Sequence, residues 1–259
     1  MHAILEISGT KYRVNLLKPI DLSIPLKPGQ SSAWYVNDVK IEPVRTDAFT
    51  GSVAEGGSVN FRNISFNPHG NGTHTECLGH ITPQVYSINQ AVKNYFSIAH
   101  LISILPIKGY NEAGFCSDND TVITLKQIKS ALNNQVPEAL IIRTLPNGSD
   151  KIKKKWSNTN WPQLDKNAAK WLAENNVKHL LIDLPSVDRE TDGGKLLCHH
   201  AFWQIPENPR MGASITELIY VPNEIKDGMY LLELQFAPFE NDASPSRPLL
   251  YHLDKTNEL

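Results

Sequence analysis

The 259-residue chain reads as one α/β domain with several antiparallel additions, and three observations carry that reading. Two apolar runs, Glu138–Leu145 with its Ala-Leu-Ile-Ile core and Val177–Leu184, flank a helical pattern. Strand, helix, strand in that order implies parallel pairing through a right-handed crossover. Further short β-prone runs lie toward both ends of the chain, where antiparallel pairing is the simplest arrangement. Neither an internal repeat nor a low-complexity linker divides the sequence, so a single domain accounts for its length.

Taken in order, Ala3–Ile7 and Tyr12–Leu16 surround Ser8-Gly9-Thr10-Lys11 and predict a hairpin. Residues 17–32 are rich in Pro and Lys and predict a loop or an edge. Val59–Phe66 predicts a strand leading into a loop, with pairing ended by Pro68, which lacks a backbone donor. Tyr95–Ile107 is apolar and rich in Ile, predicting one or two buried strands. Leu125, Ile128 and Leu132 stand at helical spacing, with Thr124 or Asp120 placed to cap the start. Lys151–Lys155 predicts a solvated basic loop. Asp165 is placed to cap a helix running to about Asn176, whose Ala168, Ala169 and Leu172 face inward. A turn at Asn223–Gly228 and strands at Tyr230–Ala237 and Pro248–Leu253 close the fold.

Composition narrows the function classes. A hydrophobic fraction of 41% supplies a sizeable core. The formal net charge of -2 leaves no electrostatic footprint for nucleic acid or an anionic membrane, so neither is an expected partner. No apolar run approaches the roughly 20 residues that span a bilayer. The first residues, Met1-His2-Ala3-Ile4-Leu5-Glu6, do not pair a basic region with an apolar one as a secretory leader does. Cys77, Cys116 and Cys198 are odd in number and far apart, which fits neither a disulfide framework nor a C-x-x-C zinc pair. The expected compartment is the cytoplasm, where the sequons at Asn63, Asn71, Asn119 and Asn147 stay unmodified.

The chemistry concentrates in residues 67–80, which hold His69, His74, His80 and Glu76 around Gly70 and Gly72. Imidazole and carboxylate together bind divalent transition metals and serve hydrolytic general-base chemistry. On an extended segment His74 and Glu76 share a face. His80, four residues after Glu76, comes near that face if the chain turns helical there. Zinc accepts such ligands at about 2.0–2.2 Å, and manganese suits them as well. A second constellation is Leu181-Ile-Asp-Leu-Pro-Ser-Val-Asp188, where a buried strand runs into an acidic loop. Ligands gather at the carboxyl ends of such strands, although Asp183 and Asp188, taken alone, read as turn caps. Cys198-His199-His200 and Glu217 follow as possible distant ligands. Cys77 and Cys198 read as buried small apolar residues rather than nucleophiles. There is no G-x-S-x-G elbow, Walker loop or dinucleotide-binding glycine pattern.

Together these segments resemble the metal-dependent cyclase and arylformamidase-like hydrolases, a family that includes bacterial kynurenine formamidase and isatin hydrolase. Its hallmark is His-x-Gly-Thr-His-x-Asp-x-Pro-x-His. Gly72-Thr73-His74-x-Glu76 and His80 match the later part, Cys198-His199 resembles the downstream metal His, and Ile215–Pro222 resembles the Ile-x-Glu-Asn-Leu segment. Phe236-Ala-Pro238 and Ser244-Pro-Ser-Arg-Pro248 resemble the C-terminal elements. The resemblance implies a swivelling β/α/β domain with a mixed sheet, comprising a β-rich extension over residues 1–58 and a metal-hydrolase core over 59–253. It implies one or two Zn²⁺ or Mn²⁺ ions held by His74, Glu76, His199 and Glu217, with His69 as a further candidate. His80 would act as base or proton shuttle, and Glu217 would assist as well as ligate. The implied reaction is hydrolysis of a small amide or cyclic amide by water activated on the metal, in a homodimer or homotetramer. The sequence departs from the hallmark in four places. The first His falls at Gly70 with His69 one residue early, the Asp is Glu76, the Pro is Leu78, and residues 204–210 lengthen the span from His199 to Glu217. These departures motivate an alternative, a non-catalytic small-ligand-binding protein with a degenerate metal site.

Overall fold

The computed structural model describes residues 1–108, 119–133 and 135–257; Cys116 lies outside them. The body is one mixed sheet of eight strands. In chain order these are β1 (Ile20–Asp21), β2 (His74–Glu76), β3 (Phe96–Ile104), β4 (Ala139–Thr144), β5 (His179–Ile182), β6 (Ser214–Glu217), β7 (Gly228–Phe236) and β8 (Ala243–His252). The strands run in the order β7-β3-β4-β5-β6-β2-β8-β1, and β7 also pairs with β8. The sheet thus closes on itself as a seven-stranded barrel with β1 added at β8, which removes most of the free edges a sheet would otherwise expose.

Strands β3, β4, β5 and β6 are mutually parallel, and the remaining pairs of this sheet are antiparallel. Each parallel step is bridged by a helix: α2 (Leu125–Ala131), α3 (Lys166–Glu174) and α4 (Leu197–Trp203), while a short α1 (Ile88–Ala91) precedes β3. Thr124 caps α2 in a reciprocal capping box with Gln127, and Asp165 caps α3 by accepting from the Asn167 amide. The predicted strand–helix–strand unit is therefore present in parallel register, Ala139 opposite His179.

All six residues of β4 and all four of β5 are buried, as expected of parallel strands covered on both faces. Alternation sorts them into two cores. Ala139, Ile141 and Leu181 point into the barrel with Leu22, Leu101, Leu232 and Leu250. Leu140, Ile142, Leu180 and Ile182 point outward onto the helices, against Ala168, Leu172, Phe202 and Trp203.

The N-terminal hairpin forms as His2–Ile7 against Thr10–Asn15, joined by Asp254–Lys255. Part of the first 58 residues enters the body, through β1 and through Leu22 in the barrel. The strand expected over Val59–Phe66 forms at Arg62–Ser65, but it pairs with Lys40–Pro43 in an outlying ribbon and every one of its residues is exposed. Phe61 and Ile64 face solvent.

One basic segment departs from expectation. Ser149–Lys153 forms a 3-10 helix, and Lys151 is buried. Its Nζ donates to Asp183 Oδ2 (2.8 Å), Thr144 O (2.7 Å), Thr144 Oγ1 (2.8 Å) and Asn147 Oδ1 (3.3 Å). Asp183, expected as a turn cap, is the counter-charge that draws this lysine in.

Candidate metal centre

Strand β2 places His74 and Glu76 on the outward face of the barrel, and β6 pairs beside it with Glu217 opposite His74 and Ile215 opposite Glu76. The intervening Thr75 and Thr216 face the other way and share a hydrogen bond of 2.9 Å. The chain then turns through a 3-10 helix at Leu78–His80, which brings His80 back toward Glu76 at 3.9 Å. Helix α4 crosses this face with Cys198, His199, Phe202 and Trp203 on its buried side. Asp188 holds its first turn by accepting from the amides of Cys198 (2.8 Å) and His199 (3.2 Å). His200, the neighbouring candidate, turns away toward Ile205 O.

The residues singled out in the sequence converge. Glu76 is central: its Oε2 lies 3.0 Å from His69 Nδ1 and its Oε1 3.1 Å from His199 Nε2. Glu217 lies 3.4 Å from His74 Nε2 and 3.8 Å from His199 Nε2. The ligand atoms of His69, His74 and Glu76 fall within 4.8 Å of one another, as do those of Glu76, His80 and His199. His69, one residue out of register with the hallmark, is nonetheless in the cluster. A Cβ at Gly70 would lie 2.6 Å from Val36 Cγ2 and 3.1 Å from Ala33 O, so that position has no room for a side chain unless Val36 moves. Gly72, at φ +66°, makes the left-handed turn into β2 that glycine allows at little cost.

Two acids join from outside the sequence expectation. Asp188, expected only to cap a turn, instead reaches the first turn of α4 and accepts through Oδ2 from His199 Nδ1 at 2.6 Å. Asp242, which no motif in the sequence marks, accepts from His69 Nε2 at 2.8 Å and lies 3.5 Å from His80 Nδ1. Only the fold brings Asp242 there, across 173 residues of chain from His69.

The electrostatics show what the centre demands. Burial opposes charge on Glu76, yet His80, His199 and His69 hold its carboxyl well below the usual range. Burial and the charge of Glu76 push Glu217 up. Burial also opposes protonation of His69, but its hydrogen bonds to Asp242 and Glu76, and their charges, raise it to about 10. His199 is raised by Asp188 and Glu76 against the same burial. The acids call for positive charge, which either protonated imidazoles or a divalent cation supplies; cation binding releases the protons.

The donor set fits a cation on one further observation. His74 Nδ1 donates to its neighbour Gly72 O at 3.2 Å, which in the neutral ring leaves Nε2 as the lone-pair nitrogen. That Nε2 is buried and makes no hydrogen bond. A buried lone pair facing carboxylates is unsatisfied by any protein donor and is satisfied by a Lewis acid. Beside the cluster a cleft of about 410 Å³ opens, lined in part by Trp34, Val36, Ser186 and Leu196, with His69, His80, His199 and Glu217 at its inner side. Trp34 is braced edge-on against Trp161 at 4.9 Å. Among the described residues no helix is long and apolar enough to cross a membrane.

No curated protein matches the chain. Solved structures do. An isatin hydrolase bound to the product analogue thioisatinate is 14% identical, with a TM-score of 0.65, covering 92% of this chain and 93% of that one. A potential metal-dependent hydrolase with cyclase activity is 18% identical, with a TM-score of 0.63, covering 90% and 97%. A predicted metal-dependent hydrolase from Bacillus stearothermophilus is 18% identical, with a TM-score of 0.59, covering 90% and 98%. At such identities the likeness is one of fold. The family described as "Putative cyclase" matches residues 20–189, a span holding His69, His74, Glu76, His80 and Asp188. With that match over more than half its length, and with the same fold as these structures, the chain belongs to the cyclase family.

Proposed function

We propose that this chain is a metal-dependent hydrolase of a small amide or cyclic amide, with His69, His74, Glu76, His199 and Glu217 holding Zn²⁺ or Mn²⁺. The observation that carries the reading is the convergence of three separate segments on one largely buried set of nitrogen and oxygen donors, with His74 Nε2 making no hydrogen bond. A bound ion supplies Lewis acidity, lowering the pKa of a coordinated water toward about 7 and polarising a carbonyl. The protein supplies the rest. Hydrogen bonds to Gly72 O and Asp188 fix the rings of His74 and His199, so their free nitrogens stay aimed at Glu76 and Glu217. His80 stands at the cleft side of Glu76, stacked on His69 at 4.2 Å. From there it takes a proton from the attacking water and returns one to the leaving nitrogen, the step an amide requires because the amine leaves poorly unprotonated. Trp34, Val36 and Leu196 give the cleft an apolar wall, and its volume suits a small molecule.

The test is hydrolysis with metal-loaded protein, using N-formylkynurenine, isatin and related cyclic amides as probes. Turnover that depends on Zn²⁺ or Mn²⁺ and falls by about 10²-fold or more in Glu76→Gln supports the reading. Metal binding without turnover of any such amide, in protein whose cleft still binds them, favours the non-catalytic alternative. Unchanged activity in Glu76→Gln removes Glu76 from the mechanism.

A further inference from the structure

Glu76 is flanked by two histidines that are held in the same manner. His199 turns Nε2 to Glu76 Oε1 and gives Nδ1–H to Asp188; His69 turns Nδ1 to Glu76 Oε2 and gives Nε2–H to Asp242. Each ring therefore has one nitrogen fixed from behind by an aspartate and the other directed inward. A carboxylate behind a ligating imidazole fixes its tautomer, orients the ring and raises its basicity. We propose that Asp242 is the positioning residue of the centre's third histidine: it makes His69 a ligand through Nδ1, and so lets a histidine one position out of register serve where Gly70 cannot.

The geometry has a reason in this chain. Gly70 is packed against Val36, which would have to move for any side chain to stand there. His69 reaches Glu76 from a different backbone position, its ring part-exposed, with a side-chain exposure of 22%. A ring so placed has freedom that a buried one lacks, and ordering it costs side-chain entropy. Asp242 removes that freedom with a hydrogen bond of 2.8 Å. It sits at the head of β8, whose Ala243 pairs with Glu76, and its own carbonyl accepts from the Cys77 amide. The acid is thus tied by backbone pairing to the strand that carries Glu76. His80 also faces Asp242, at 3.5 Å, so the same acid could instead act through His80, and the experiment separates the two.

The inference rests on the reading of the cluster as a metal centre. Zn²⁺ affinity of the full chain, stripped of metal, is measured by competition with a chromophoric chelator, and the melting temperature of each stripped variant is recorded. Asp242→Ala is expected to weaken Zn²⁺ binding by about 10–100-fold, and Asp242→Asn, which keeps an acceptor for Nε2–H, to restore most of it. In a His69→Ala background Asp242→Ala should add nothing further; in a His80→Ala background it should keep its full effect. If Asp242→Ala does not fold, Asp242→Leu, which keeps bulk without an acceptor, replaces it. Wild-type affinity in both acceptor-less variants, additive losses with His69→Ala, or loss of the effect in His80→Ala overturns the proposal while leaving the metal centre standing. Failure of the wild type to bind either Zn²⁺ or Mn²⁺ overturns both.

Discussion

Two clusters of buried charge sit on neighbouring strands of this barrel, and they are opposites. Around Lys151 every demand is met from within: the ammonium has four acceptors, and Asp183 has Lys151, the Thr144 hydroxyl and the Thr144 amide. Around Glu76, acids and imidazoles crowd together and His74 Nε2, 3.4 Å from Glu217, makes no hydrogen bond. A closed cluster is a structural device, because each group's desolvation is offset by a fixed partner. An open one costs stability unless something from solution completes it. Burial and charge alone would rank the two alike; the difference is whether a donor or lone pair is left over.

Breaking the closed cluster should have the largest effect on stability. Lys151→Met leaves Asp183 buried without its counter-charge and should cost about 3–5 kcal/mol, read by denaturant unfolding, with Zn²⁺ affinity unchanged. If affinity falls in step with stability, the two clusters are not independent. Next comes a buried histidine that belongs to neither. Burial holds His179 down to about 4, with Lys178 and Arg210 acting in the same direction against Glu138, and its Nδ1 lies 2.8 Å from Ser214 Oγ. Folded protein thus binds fewer protons than unfolded protein between about pH 6.5 and 4. Stability contributed by neutral His179 is full above that window and is lost as pH falls through it, by roughly 3 kcal/mol in all. His179→Asn should flatten this part of the stability–pH curve; an unchanged slope would assign it elsewhere. The smallest expected effect is that of Gly70→Ala, about 1–3 kcal/mol from the clash with Val36. It should also weaken metal binding by shifting His69, and a neutral outcome would show that the loop has slack.

How far the sequence foretold these clusters depends on the distance over which each is made. The strand–helix–strand unit is local, and its apolar runs and the Asp165 cap were sufficient to place it. His74, Glu76 and His80 were legible because strand and turn geometry alone put them on one side. His199 and Glu217 stood only as possible distant ligands until motif resemblance gave them a role, since α4 is short and opens on a left-handed Leu196 rather than a capping residue. Asp242 carried no signal, because its role exists only once β8 pairs with β2. Lys151 was misread for a related reason: among neighbouring lysines it looks solvated, and its partner Asp183 lies 32 residues away. The strand expected before the histidine loop does form, at Arg62–Ser65, but its partner Lys40–Pro43 lies some twenty residues earlier in the chain and no local pattern names it.

The proposed metal centre requires that an ion complete the open cluster. Crystals grown with Zn²⁺ and measured on both sides of the zinc absorption edge test this directly. The expected result is an anomalous peak bounded by His74 Nε2, His199 Nε2, His69 Nδ1, Glu76 and Glu217, at about 2.0–2.2 Å from the atoms that bind it. An occupied Zn²⁺ elsewhere on the chain with this cluster empty, or no peak here with either saturating zinc or saturating manganese, would contradict the metal centre.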